Sequence, residues 1–440
     1  MRRDMRTQRS IVLIMNFLFI MIVFMTFAIL WRVLYQDVIR FYAKGYTLLS
    51  LVFITIFVIL MALYGGFKIG ISRIFDMLFS SAISLFLTLI VTYFQVSLIA
   101  RYLVNPMGFM FIFIIQLILG FILICVEHHL FFKFFPPRKC IAIMNDDTMV
   151  VRKLERHHRK NMTIDQTVTF DEFLQNSIDV KDYDCVIVES LSEKEKIVIS
   201  QLCYENNVVL YVVPTFYEVL IRCSKDTHFI DTPIFQENNY GPSQFSKIFK
   251  RTFDILISLI LLILSLPISL IIMIVIKIDD NGPILYEQER LTIHGKKFKI
   301  KKFRSMTINA ERNGKAQFAT ENDSRITRVG KVIRKYRMDE IPQFLNILKG
   351  EMSFVGPRPE RPEIASEIEK ILPEFKYRLK VKAGLTGYAQ VYGKYNTKLQ
   401  DKLLLDILYI EDYSMALDLK IIVLTFKILF LKESTEGVHE

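Results

Sequence analysis

Apolar residues run almost without interruption over 11–31, and again over 48–64, 74–100 and 107–126. A helix needs ~20 such residues to span a bilayer core, so the pattern predicts a four-helix transmembrane bundle in the first third of the chain. The first run follows Arg2, Arg3, Arg6 and Arg9, as a signal peptide would, but it is too long for one and no small-residue cleavage site follows it. With the N-terminus inside, nine basic residues flank the inner ends (Arg2, Arg3, Arg6, Arg9, Lys68, Arg73, Lys133, Arg138, Lys139), against four outside (Arg32, Arg40, Lys44, Arg101). That asymmetry predicts an N-in bundle that returns the chain to the cytoplasm.

At Pro136–Pro137 the pattern becomes that of a soluble module. Short apolar runs at 139–144, 183–188 and 207–213 predict strands, separated by charged, helix-compatible segments such as 148–160. Such alternation implies a Rossmann-like α/β module with a parallel sheet. The turn after its first strand, Asn145-Asp146-Asp147, lacks the GxGxxG phosphate cradle. The fold could hold a nucleotide, but a structural or regulatory role fits the missing cradle better. His157 and His158 have no partner at ligand spacing and are expected to be solvated.

A fifth apolar run covers 252–276, long enough to cross a bilayer. Basic residues stand at both of its ends: Lys250 and Arg251 before it, and Lys277, Arg290, Lys296, Lys297, Lys299, Lys301, Lys302 and Arg304 after it. Charge of one sign on both flanks disfavours a crossing. Ser265-Leu266-Pro267 lies near the middle, where proline kinks or breaks a helix, and Asp254 sits one turn in, where an acid belongs at an interface or with a partner. A re-entrant helix that enters and leaves on the cytoplasmic side satisfies all of these features; a proline-kinked fifth crossing is the alternative.

Composition sharpens the picture. The 440 residues are 52% hydrophobic with mean hydropathy +0.32, which excludes a disordered chain. Lys and Arg number 56 against 45 Asp and Glu, a net charge of +11. A basic chain could bind nucleic acid, but here the charge flanks membrane segments and no nucleic-acid module is present. No nucleic-acid partner is therefore expected. The five cysteines (Cys125, Cys140, Cys185, Cys203, Cys223) form no CxxC and read as reduced thiols.

The last third carries the candidate chemistry. Residues 281–306 predict a hairpin with strands at 284–288 and 298–303, placing Lys299 and Lys301 on one face and Phe298, Ile300 and Lys302 on the other. This is either a phosphate-binding surface or a solvated strand face. Further on, Asp339 and Glu340 adjoin Arg325, Arg328, Arg334 and Arg337. Asp339 sits at a predicted helix N-cap with Pro342 in the first turn, so capping is one reading. The other is chemical: paired carboxylates bind Mg2+ through oxygen, arginines hold phosphates, and an aspartate can attack phosphorus. Two Gly-punctuated segments follow, 352–360 with Arg358 between prolines, and 381–394.

In order along the chain, these blocks resemble the bacterial sugar transferase family, the monotopic phosphoglycosyl transferases. The matching residues are Gly282-Pro283, Gln288 and Arg290, then Lys302-Phe303-Arg304-Ser305-Met306, then Asp339-Glu340-Ile341-Pro342-Gln343 with Asn346. Met352-Ser353, Val355-Gly356-Pro357-Arg358-Pro359 and Gly384-Leu385-Thr386-Gly387 with Ala389-Gln390-Val391 complete them. The resemblance covers about 247–432, and the front end resembles the large, multidomain members more loosely.

The resemblance implies transfer of a sugar-1-phosphate from a UDP-sugar to undecaprenyl phosphate at the cytoplasmic face of the bacterial inner membrane. UMP would be released, beginning assembly of exopolysaccharide, capsule or another surface glycan. Asp339 would be the nucleophile of a covalent phosphosugar intermediate, with Mg2+ held by Asp339 and Glu340. Arg290, Lys302, Arg304, Arg325, Arg358 and Gln390 would bind substrate phosphate. Lys250, Arg251, Asp254, Ser265 and Pro267 would serve the re-entrant helix and the lipid phosphate. Membrane lipids are implied partners, and a homodimer stays open.

Met338 and Ile341 stand where the family usually has leucine, Ala383 where it has proline, and Tyr392-Lys394 where it has Asn and Arg, so the sugar is not implied. The expected domains are a four-helix transmembrane region at 1–135, a Rossmann-like cytoplasmic module at 136–246 and a mainly α catalytic domain at 247–440. Two rivals remain: a glycosyltransferase that moves only the sugar and releases UDP, and a non-enzymatic scaffold of glycan assembly.

Overall fold

The computed structural model describes residues 5–36, 43–72, 74–145, 151, 154, 161–176, 178–229, 231–236, 243–280, 282–307, 323, 325–393 and 397–429. The segments expected at 148–150 and 155–160, with His157 and His158, lie outside the described residues, as do Arg2, Arg3, Arg40, Arg73 and Lys394. The chain forms two compact units, Met1–Pro214 and Thr215–Glu440.

The first unit opens with four helices, α1 (Met5–Tyr35), α2 (Ala43–Leu63), α3 (Ile74–Ala100) and α4 (Met107–Phe134). Phe27, Trp31, Phe53, Phe57 and Ile112 are fully buried between them, while Phe17, Phe75, Phe94 and Phe121 point outward. Helices that are apolar on the core side and the outer side alike suit a lipid surround rather than water. All four, and one more in the second unit, are long and apolar enough to cross a membrane.

The same unit continues into a four-stranded parallel sheet, β1 (Arg138–Met144), β2 (Met162–Val168), β3 (Cys185–Glu189) and β4 (Val209–Val212), in the order β2-β1-β3-β4. The sequence pattern misses β2 because this edge strand (MTIDQTV) is largely exposed and carries no apolar run. Helices α5 (Phe170–Gln175) and α6 (Glu193–Glu205) each start on a capping box, Thr169 with Glu172 and Ser192 with Glu195. The expectation of five reduced thiols is corrected: register sets Cys140 directly beside Cys185, with Cα atoms 4.8 Å apart, and the two are joined as a disulfide.

The second unit begins at Thr215, earlier than the expected boundary at 247. Helix α7 (Phe216–Arg222) buries Val219 in the same core as Ile347, Met352, Leu403 and Ile407, which draws the segment into this unit. A hairpin, β5 (Lys225–Phe229) and β6 (Thr232–Gln236), leads to α8 (Gln244–Asp280). The chain stays helical through Pro267, so of the kink or break expected at Ser265–Pro267 the break is corrected to an internal proline within one helix. Ser265 Oγ donates to the Leu262 carbonyl 3.1 Å away, a side-chain bond in the turn where proline supplies no N–H.

Both flanks of α8 pack on the second unit. Phe253, Ile257 and Leu261 join the core around Ile347, Val355 and Tyr409, and Ile272 and Ile276 join Phe303 and Ile333. Between them Ile263, Leu264, Leu266, Ile268, Leu270 and Ile271 are exposed. The remaining elements are β7 (Leu285–Leu291), β8 (Lys297–Phe303), α9 (Arg328–Lys335), α10 (Gln343–Lys349), β9 (Ser353–Val355), α11 (Pro362–Ile371), β10 (Gly384–Thr386), α12 (Tyr388–Tyr392), α13 (Leu399–Glu411) and α14 (Met415–Leu429). Here β7 pairs antiparallel with β8, and β9 pairs parallel with β10.

Candidate active site

The hairpin forms as its alternation predicts. Phe298 and Ile300 turn into the core and Lys297, Lys299 and Lys301 lie on the other, outer face, where the strand's last residue, Phe303, is buried with Ile272, Ile276 and Ile333. The outer face is not a free phosphate surface, however: Lys297 meets Glu289 at 3.5 Å, Lys301 pairs with Glu287, and Lys299 stands opposite Glu289 in the register. Lys302, on the inner face, is the lysine that reaches the carboxylates. Its strand is fixed by Asn346, wholly buried on α10. The Asn346 amide donates to Lys299 O (2.8 Å) and to Glu351 Oε2 (2.6 Å), and its oxygen accepts from Lys301 N (3.0 Å).

The carboxylate pair lies in a short 3-10 turn, Met338–Glu340, between α9 and α10. The N-cap expectation for Asp339 is corrected: Pro342 occupies the N-cap position of α10, and Asp339 lies inside the preceding turn. Arg337 enters that turn in the left-handed region at φ 52°, a conformation that costs a non-glycine residue on the order of 1 kcal/mol. Lys302 Nζ lies 2.9 Å from Glu340 Oε1 and 3.8 Å from Asp339 Oδ2, and Arg358 Nη2 lies 3.3 Å from the same Glu340 oxygen.

Two adjacent carboxylates thereby acquire different characters. Burial works against the charge of Glu340, but Lys302, Arg358 and Arg337 outweigh it and hold the group well below the usual range. Burial raises Asp339, and the neighbouring Glu340 adds to the rise while Lys302 opposes it. Glu340 is thus a fixed anion bound to two cations, and Asp339 the more basic oxygen donor.

Arg358 projects from an irregular segment, 357–360, that rests on backbone packed at glycine distances. A Cβ on Gly384 would fall 2.1 Å from Gly356 N, and one on Gly387 would fall 2.2 Å from Gly356 O. These glycines allow β9 and β10 to lie against the loop, which no side chain would permit. At the start of the hairpin, a Cβ on Gly282 would sit 1.7 Å from Arg304 Nη1, so this glycine makes room for a buried guanidinium.

Other expected site residues have structural partners. Arg290 donates to Pro359 O (3.2 Å) and Gln288 Oε1 (2.7 Å). Arg325 grips Asp323, with Nε 2.8 Å from Oδ1, which holds that carboxyl at about 2. Lys250 pairs with Asp418 at 2.6 Å, Arg251 donates to Ile347 O and Leu348 O (2.5 and 2.7 Å), and Asp254 accepts from Phe354 N (3.0 Å). These three tie the base of α8 to the unit. Gln390 lies on α12 with a buried Nε2 that has no hydrogen-bond partner among the described residues.

Sequence reasoning missed Arg378 and Asp406, a buried pair at 2.8 Å. One signal was available: Asp406 interrupts the buried stripe Leu403, Ile407, Tyr409, Ile410 of α13. Among the described residues no group of three or more His, Cys, Asp and Glu could hold a metal. Asp339 with Glu340 supplies two hard oxygen donors, which fits Mg2+, an ion that binds through one or two carboxylates plus substrate phosphates.

Residues 245–432 match the family model described as bacterial sugar transferase. The chain is 38% identical over 231 residues to a UDP-N-acetylgalactosamine-undecaprenyl-phosphate N-acetylgalactosaminephosphotransferase of Aeromonas hydrophila, covering 51% of this chain and 53% of that protein. It is 38% identical over 237 residues to a UDP-glucose:undecaprenyl-phosphate glucose-1-phosphate transferase of Klebsiella pneumoniae, covering 52% and 50%. It is 36% identical over 192 residues to an uncharacterized sugar transferase of Bacillus subtilis (strain 168), covering 44% of this chain and 92% of that protein. The chain thus spans about half the length of the first two relatives.

Proposed function

We propose that this chain, which belongs to the bacterial sugar transferase family, is a phosphoglycosyl transferase that moves a sugar-1-phosphate from a UDP-sugar to undecaprenyl phosphate and releases UMP. The observation that carries the reading is the asymmetric dyad, a raised Asp339 beside a Glu340 held by Lys302 and Arg358. An Asp339 oxygen attacks the sugar-bearing phosphorus. The bond from that phosphorus to the bridging oxygen breaks, UMP leaves with the bridging oxygen, and a phosphosugar remains on Asp339. A phosphate oxygen of the lipid then attacks the same phosphorus, freeing the carboxylate and forming undecaprenyl-diphosphate-sugar. Lys302 and Arg358 stand where charge develops on the transferred phosphoryl oxygens. Mg2+, when bound by Asp339 and Glu340, supplies neutralisation of the diphosphate charge.

The membrane substrate explains α8. A crossing helix delivers its ends to opposite sides of a bilayer, yet both flanks of α8 pack into one compact unit. With an exposed apolar middle around Pro267, this supports a re-entrant helix that dips in and returns, seating the dyad at the depth of a lipid phosphate. The basic flanks of α8 support a cytoplasmic seat for that unit. The relatives' names point to glucose or N-acetylgalactosamine as the transferred sugar, at the first membrane step of surface-glycan synthesis.

The test supplies the purified chain with Mg2+, undecaprenyl phosphate and UDP-linked glucose, galactose and N-acetylgalactosamine in turn. UMP release with one of them is expected, falling at least ~10^3-fold in Asp339→Asn. Release of UDP, or an Asp339→Asn enzyme that retains full activity, overturns the reading.

A further inference from the structure

Four successive carbonyl oxygens of the irregular loop 357–360 are each engaged from outside it. Pro357 O accepts from Gly384 N at 2.9 Å, Arg358 O from Arg378 Nη2 at 2.9 Å, Pro359 O from Arg290 Nη1 at 3.2 Å and Glu360 O from Leu291 N at 3.0 Å. Prolines at 357 and 359 remove two of the loop's own donors, so the segment has no ladder of its own and relies on these outside donors. Two of the four come from guanidinium groups. Both groups also approach the loop's single carboxylate, Glu360, Arg290 at 3.8 Å and Arg378 at 3.7 Å.

Arg378 is itself immobilised. It meets Asp406 of α13 at 2.8 Å, with the Asp406 side chain 2% exposed, and its guanidinium lies 4.7 Å from the Phe375 ring centre. One side chain therefore ties the loop to the buried face of a helix. The Arg358 side chain, by contrast, is half exposed and reaches Glu340.

We infer that Arg378, with Arg290, forms a two-arginine clamp on the 357–360 backbone, and that Arg378 is a positioning residue that aims Arg358 at Glu340. This rests on the transferase reading for its effect on turnover, and on contacts alone for its effect on the loop. Arg378 touches none of the reacting groups; it acts only through Arg358.

Arg378→Lys keeps a cation for Asp406 but loses the planar fork that spans carboxylate and carbonyl together. It is expected to speed amide hydrogen exchange at Gly356, Arg358 and Glu360, leave exchange in α8 unchanged, and lower kcat ~10- to 100-fold. In an Arg358→Ala background the same change is expected to cost under ~2-fold, because the aimed group is already gone. Guanidinium ion added to Arg378→Ala is expected to restore part of kcat. Should that variant not fold, Asp406→Asn, which frees Arg378 from its anchor, must give the same exchange pattern. Unchanged exchange in the loop overturns the clamp, and losses that multiply in the Arg358→Ala background overturn the positioning role. A wild-type protein that releases no UMP counts against the transferase reading, and the exchange measurement still decides the clamp.

Discussion

The two units bury polar groups in opposite ways. In the bundle, the hydroxyls of Thr88 and Thr92 donate to carbonyls of their own helix four residues back, at 2.7 and 2.8 Å, and the longer-range bonds of Ser80 to Tyr64 O and Gln116 to Val23 O involve neutral groups. In the second unit, the buried charges of Asp254, Arg378 and Asp418 meet partners far along the chain: Phe354, Asp406 and Lys250. The first arrangement costs little wherever a hydroxyl falls on a helix and specifies little beyond packing. The second specifies one fold, because each charge is tolerable inside only if a distant segment arrives with its complement. The dyad belongs to this second kind: Lys302 and Glu340 meet only because Asn346 fixes β8 against α10.

The sharpest way to break that comparison is to remove one partner in each unit. Asp418→Leu leaves Lys250 without its carboxylate and Tyr409 without an acceptor at 2.8 Å. It is expected to destabilise the second unit by ~3 kcal/mol or more, and Lys250→Met in the same protein to recover most of that loss. Thr88→Val in the bundle removes a hydroxyl whose acceptor is a helical carbonyl and is expected to change stability by under ~0.5 kcal/mol. Thermal unfolding in detergent measures both. Equal losses in the two units would dissolve the distinction.

The same distinction explains what could be read from the chain beforehand. The four bundle helices follow from apolar runs alone, since a lipid-facing helix needs nothing else, although α1 (Met5–Tyr35) outruns the stretch 11–31 at both ends, α2 starts at Ala43 rather than 48 and α4 reaches Phe134 rather than 126. Buried strands β1 and β3 were legible for the same reason, and edge strand β2 was not. In the second unit periodicity located the hairpin but left its Lys299–Lys301 face open between a phosphate surface and a solvated one, because Lys299 and Lys301 look identical to Lys302 until Glu287, Glu289 and Glu340 take their places. Asp339 was legible as chemistry only through its block, since an acid before Ile341-Pro342 equally resembles a cap. Lys250, Arg251 and Asp254, which the resemblance assigned to the re-entrant helix and the lipid phosphate, have protein partners at 2.5–3.0 Å that no local pattern could name. Arg378 lay inside an ordinary charged segment, and its role depends on two loops and a helix meeting.

A smaller effect tests the electrostatic half of the dyad. Lys302 lowers both carboxyl groups, with burial acting against it on each. On the proposed mechanism turnover needs Asp339 ionised, so activity is expected above its raised value and is lost as pH falls through it. Lys302→Met removes an opposing cation and pushes Asp339 up further. The acidic limb of the kcat profile is then expected to move to higher pH, and kcat at neutral pH to fall ~10^2-fold. An acidic limb that stays in place, or moves to lower pH, would show that Lys302 does not set the charge of the pair.

The smallest effect concerns the tip of the hairpin. His294 and Gly295 both lie in the left-handed region, at φ 57° and 71°, closing the hairpin between β7 and β8. Thr292 N donates to Lys296 O at 2.9 Å across that turn, and the Thr292 hydroxyl anchors its base by donating to Glu351 O at 2.9 Å and accepting from Ala383 N at 3.2 Å. Glycine takes such a conformation freely, whereas a Cβ-bearing residue is strained by it, asparagine less than most because its side chain bonds its own backbone. His294→Asn is therefore expected to stabilise the second unit by ~0.5 kcal/mol, read as a higher midpoint of thermal unfolding, with kcat unchanged. Because the turn shares no buried charge with the dyad, any accompanying shift in the pH profile would mean that the hairpin transmits strain along β8 to Lys302, and that local and long-range order are less separable here than the two units suggest.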